Sequence, residues 1–145
     1  MANASLTVAN SVYMLVISDL YPIPQQLQGY AADDVFSTEA IDSIETVMGV
    51  DGLLSAGWMP TPKKQTIVLQ ADSVSSLMFD SWYQNEQLIR DALVAEGFIT
   101  LPSLGRTYVM HKGFLTSYMP IPDARKILQP RRFTITWESI IGAPI

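Results

Sequence analysis

Polar and apolar residues alternate along several stretches of this chain, and one stretch repeats at helical spacing. Residues 4–19 (ASLTVANSVYMLVISD) are dense in β-branched side chains and read as one or two strands broken near Asn10-Ser11. In Tyr21-Pro22-Ile23-Pro24 each proline removes a ladder donor, so pairing is expected to stop and residues 20–34 to form a long loop. From 35 to 48, Phe36, Thr38, Ala40, Ile44 and Met48 share one parity, and Ser37, Glu39, Ser43 and Glu45 share the other. That pattern predicts a half-buried strand, with a bulge or intersheet bend where Ile41 and Asp42 break the rule.

Asp51-Gly52 is the strongest short hairpin signal in the chain. It lies in an extended apolar hairpin or loop, residues 48–62, that carries Leu53, Leu54, Trp58 and Met59. Further strands are expected at 63–71, 98–101, 106–118 (with Gly113 as a bulge or kink) and 131–140. In the last of these, Phe133, Ile135 and Trp137 alternate with Arg132, Thr134, Thr136 and Glu138. Between them Val74, Leu77, Met78, Trp82, Ile89, Ala92 and Leu93 recur on one helical face. Asp72 or Ser73 would be the N-cap and Gly97 the residue after the C-terminus, which predicts one helix over about 74–96. The expected fold is a single mainly β domain, 1–145: an antiparallel sandwich or barrel-like subunit with one flanking helix.

Charge changes the picture. Residues 1–62 contain Asp19, Asp33, Asp34, Glu39, Asp42, Glu45 and Asp51 but no Lys, Arg or His, a formal charge of −7; the remainder sums to +2. One surface should therefore be strongly negative. Charged residues make up 16% of the chain and apolar ones 48%; average charged content is about 25%. The deficit suggests surface covered by other protein, and self-association is the simplest cover. A basic cluster, Arg125-Lys126 and Arg131-Arg132, reads either as solvated strand ends or as a patch for an acidic partner, with the acidic half of a second copy as a natural candidate.

Candidate chemistry is sparse. The chain has no cysteine, so disulfides and thiolate metal sites are ruled out. His111 is the one histidine and reads as an ordinary strand residue; no nucleophile elbow and no phosphate loop occurs. Asp33-Asp34 could hold a divalent cation but reads better as solvated loop. Asn3-Ala4-Ser5 matches a glycosylation triplet with no export signal behind it. We expect no enzyme activity, no cofactor, no metal and no specific nucleic-acid binding, since DNA binding relies on Lys and Arg and the pI is near 4.6. No apolar run approaches a membrane span. Trp82 and Trp137 lie on periodic apolar faces and read as core, whereas Trp58 reads as a contact residue.

Four stretches, DDVFSTEAIDSIETVMGVDG, KKQTIVLQADS, LPSLGRTYVMHKGFLTSYMPIPDA and LQPRRFTITWES, carry a resemblance to the tail tube proteins of tailed bacteriophages, in particular contractile-tailed ones. The resemblance implies a structural virion protein, assembled in the host cytoplasm. Six subunits would form a ring, each giving a four-stranded sheet to a continuous β-barrel. Rings would stack into a hollow tube through which the genome passes, with sheath, baseplate and tail terminator proteins as partners. On that footing Glu39, Glu45 and Asp42 are candidates for an acidic lumen, which would repel DNA phosphate. Leu53, Leu54, Trp58 and Met59 are candidates for contact with the next ring, and Arg125, Lys126, Arg131 and Arg132 for contact between subunits. Two other readings stay open. One is another ring-forming part such as an adaptor, terminator or secretion tube. The other is a small β-sandwich ligand-binding module with Trp58 and Tyr30 as platform.

Overall fold

The structure, a computed structural model, describes residues 11–30 and 35–145. Its elements are β1 (Val12–Ile17), β2 (Tyr21–Gln26), β3 (Phe36–Thr38), β4 (Ile44–Met48), β5 (Leu54–Trp58), β6 (Lys63–Leu69), α1 (Ser76–Ile89), β7 (Ala95–Leu101), β8 (Arg106–Tyr118) and β9 (Arg131–Pro144). Seven strands form one antiparallel sheet in the order β2-β1-β7-β8-β9-β6-β3, and β4 and β5 form a separate two-stranded sheet. The mainly β, antiparallel, single-helix expectation is met, with seven strands of the large sheet lying within one subunit.

Alternation explains which face is inside. Along β9, Phe133, Ile135 and Trp137 are fully buried, while Arg132 and Glu138 on the opposite parity are exposed. Their neighbours across the ladder, Gln65 and Ile67 on β6, face the same core. The large sheet curls so that β1 and β6 meet across the interior. The Tyr13 hydroxyl donates to Gln65 Oε1, and the Trp137 indole N–H reaches the same oxygen at 3.3 Å. Gln65 in turn donates to Thr38 Oγ1 at 3.1 Å, so this buried amide is satisfied at both ends. Residues 27–30 tie β1 to β6, with Leu27 N donating to Tyr13 O and Gln70 N to Gly29 O, both at 2.8 Å.

Helix α1 lies against this core through Met78, Phe79 and Trp82. Phe79 stacks on Phe133 with ring centroids 4.3 Å apart, a geometry that adds about 0.5–1.5 kcal/mol beyond area burial. The helix is shorter than 74–96. Ser75 is its N-cap, and Arg90, in the left-handed region at φ 56°, ends it with its N–H on Glu86 O at 2.8 Å. Val74, Leu77 and Ile89, expected on the buried face, are exposed, and Phe79 takes their place. Gly97 is not a helix terminus but the middle of β7. A Cβ there would stand 2.7 Å from Met110 Cε and 2.9 Å from Trp137 Cη2, so glycine makes room for the core.

Two other expectations are corrected. Residues 20–34 are not all loop, because β2 pairs with β1. Pro22 and Pro24 are tolerated because β2 is the outermost strand, where missing donors are not needed. Residues 35–48 are not one strand: β3 stays in the large sheet, and after a bend at 39–43 β4 leaves it. Asp33-Asp34 lie outside the described residues, as does the first part, 4–10, of the strand region expected over 4–19, whose second part forms β1.

Candidate functional site: the projecting hairpin and the opposite loop

The hairpin β4–β5 is exposed along both strands. Its turn is built locally: Gly49 N donates to Leu53 O at 2.8 Å, Leu53 N donates to Asp51 Oδ1 at 3.1 Å, and Gly52 adopts φ 83°. The register pairs Ile44 with Trp58, Thr46 with Ala56 and Met48 with Leu54, while Glu45 pairs with Gly57 and Val47 with Ser55. Directly opposed residues share a face. One face is therefore Ile44, Met48, Leu54 and Trp58 with two small residues, and Glu45 stands on the other. Trp58 is 72% exposed and Val50, at the tip, wholly so. A two-stranded hairpin is marginal in water by itself, and an uncovered apolar face of this size marks a contact surface.

The contact candidates divide accordingly. Leu54 and Trp58 share the apolar face, Leu53 lies in the turn, and Met59 follows β5 on the Glu45 face and is half-buried. The lumen candidates do not gather on one sheet. Glu39 continues β3, its N–H on Lys64 O at 3.0 Å; Asp42 lies in the bend; Glu45 leaves with the hairpin. All three are exposed.

Threonine hydroxyls cluster on the outer face of the large sheet where β6, β8 and β9 lie side by side. Thr66 and Thr134 lie 3.5 Å apart, and Thr116 and Thr136 are hydrogen-bonded at 2.9 Å. Lys112 and Glu138 pair loosely at 3.6 Å. The alternation of Thr134 and Thr136 with core residues was the sequence signal for this face.

The basic cluster is also divided. Arg131 is buried at 5% exposure and bound within its own subunit. Its Nη2 lies 2.6 Å from Asp80 Oδ1, and its Nε donates to Met119 O at 3.1 Å. The guanidinium lies over the Phe133 ring at 5.0 Å, and the Tyr118 hydroxyl also donates to Asp80. Burial alone would raise the Asp80 carboxyl, but hydrogen bonds from Arg131 and Tyr118 and the charge of Arg131 outweigh it and hold the group below its usual range. Arg131 is thus committed inside the subunit rather than offered to a neighbour. Arg132 lies on the outer sheet face opposite Val68. Arg125 and Lys126 are exposed on the loop 119–130, beside exposed Ile121, Ile127 and Leu128. That loop is shaped by Gln129 N on Asp123 O at 2.8 Å and by an Ala124–Leu128 bridge. The apolar share of this loop went unread in the sequence, where Ile121 is hidden between prolines.

His111 is exposed and lies 3.1 Å from Glu96. Among the described residues no group of three His, Asp or Glu side chains could hold a metal ion. No helix of the described residues is long and apolar enough to cross a membrane.

A family model described as tail fiber protein gp32 matches residues 4–141. The chain belongs to that family. The family thus places it among phage tail proteins. Solved structures agree in fold. A chain in the cryo-EM structure of an extracellular contractile injection system, PVC, sheath/tube terminator in extended state, superposes with TM-score 0.68 and 13% identity, covering 99% of both chains. The PVC sheath-tube complex gives 0.57 at 15% identity over 92% of this chain and 88% of that one. The anti-feeding prophage baseplate gives 0.59 at 10% identity over 99% and 98%. Curated proteins offer no match.

Proposed function

We propose that this chain is a ring-forming structural subunit of a phage tail tube, acting without catalysis or cofactor. The observation that carries the reading is the hairpin β4–β5, which presents Ile44, Met48, Leu54 and Trp58 to solvent in the single subunit. An exposed apolar face of this kind is characteristic of a surface that other protein covers. The low charge content points the same way. Six copies would close a ring, with the hairpin reaching the adjacent ring and sheath, baseplate and terminator proteins completing the particle.

In this reading the outer face of the large sheet, with its threonine cluster, faces the lumen. The threonine cluster itself gives DNA phosphate no cation to replace its counterions; Lys64, Lys112 and Arg132 share the face, Lys112 paired with Glu138, and Glu39 at the sheet margin adds repulsion. Electron microscopy of the purified protein tests the proposal. Rings or hollow tubes are expected; a monomer unchanged by concentration would overturn it.

A second reading, the terminating ring at the end of a tube, is favoured by the likeness to the PVC terminator structure, which spans nearly all of both chains. Gold-labelled antibody against this chain separates the two: label along the tail supports a tube subunit, and label at one end supports a terminator.

A further inference from the structure

We infer that the apolar hairpin of one copy docks on the loop 119–130 of the next, making a head-to-tail contact along the strand axis. This rests on the tube reading and names the surface that receives the hairpin. The two patches leave opposite ends of β6. The hairpin enters β6 at Lys63, which lies opposite Trp137, and the loop ends at Arg131, which lies opposite Leu69. Seven residues at about 3.3 Å each put roughly 20 Å between the two ends. Both patches are exposed in the single subunit, so neither covers the other.

Their chemistry is complementary. The hairpin region carries Asp42 in the bend at its base, Asp51 in its turn and Glu45 on the face behind the apolar one, and no cation occurs before Lys63. The loop carries Arg125 and Lys126 beside Ile121, Ile127 and Leu128, with Asp123 as its one acid. Apolar contact with opposed charges at its margin fixes which surfaces pair and in what register.

The receiving loop is already shaped. Arg131 grips the carbonyls of Met119 at 3.0 Å and Pro120 at 3.4 Å while its other contacts anchor it to Asp80 on α1. A loop held in place loses less entropy on docking than a free one. Two different patches on opposite ends make a heterologous contact, and such contacts repeat from copy to copy instead of closing as a dimer. The buried ion pair therefore has a consequence beyond stability: it presents the socket.

Cysteine cross-linking tests this, because the chain has no native cysteine. Chains carrying Leu54→Cys are mixed with chains carrying Ile127→Cys, assembled, and oxidised with copper phenanthroline. Both sites are exposed, so folding is not at stake. A covalent pair joining the two kinds of chain is expected, with its loss when Arg125→Glu and Lys126→Glu are added to the second chain. Cross-links of Leu54→Cys chains only to each other would overturn the inference in favour of hairpin on hairpin. Rings or tubes without the mixed cross-link would overturn it while leaving the tube reading intact. Absence of any assembly would sink both.

Discussion

Strands β9 and β4 are both built on alternation, yet one is half inside the molecule and the other is exposed throughout. In β9 the apolar parity meets β6, β8 and α1, so Phe133, Ile135 and Trp137 vanish from solvent. In β4 the apolar parity meets only β5, so Ile44 and Met48 remain wet. The lesson is that a periodic apolar face specifies that something will cover it, not that its own chain will. The two tryptophans make the same contrast: Trp137 is fully buried, and Trp58 is the most exposed of the chain's three.

This contrast can be broken by substitution. Trp137→Ala should lower the unfolding free energy of the isolated subunit by about 4 kcal/mol, through lost burial and the cavity left among Gly97, Gly113 and Ile135. Denaturant titration of dilute protein measures it, and a cost under roughly 1 kcal/mol would contradict the core assignment.

Asp80→Ala should cost roughly 3 kcal/mol, because it leaves the Arg131 guanidinium buried without its carboxylate. Here pH gives a second readout. The Asp80 carboxyl titrates lower in the folded chain than in the unfolded one, so its contribution is complete above about pH 4 and is lost as pH falls through the folded value. Asp80→Asn should flatten that acid loss of stability, and an unchanged acid profile would count against the pair.

Gly97→Val should cost about 1–3 kcal/mol by overpacking against Met110 and Trp137. If glycine were there as a helix terminus instead, a bulky strand-former would not be penalised in this way.

The smallest effect on the subunit is expected at the hairpin. Trp58→Ala should change the stability of the dilute subunit by less than about 0.5 kcal/mol, while rings or tubes seen by electron microscopy are lost. Normal assembly by this variant would remove the hairpin from the interface. A large loss of subunit stability would show that the hairpin packs on its own chain and would erase the contrast with Trp137.

Much of this is legible in the sequence. The turn at Asp51-Gly52, the long strand 106–118, the core parity of Phe133, Ile135 and Trp137, and the presence of one helix all follow from short-range patterns. The misreadings share a cause. The prolines at 22 and 24 read as the end of pairing, because sequence does not say which strand is outermost. The helix was carried past Ile89, because Arg90 in the left-handed region has no side-chain signature. The apolar loop 119–130 was read for its charges alone.

The sequence by itself determined the class of fold, the hairpin and the segregation of charge, since each rests on residues near one another in the chain. Only the tertiary structure decided that Glu39 and Glu45 part company, that Arg131 turns inward to an aspartate 51 residues away, and that hairpin and loop leave opposite ends of β6. Those outcomes depend on which distant groups meet, and local propensity carries no information about distant partners. The basic cluster shows the consequence: four cations close in sequence are parted because burial rewards only the one that finds a carboxylate and a ring to lie on.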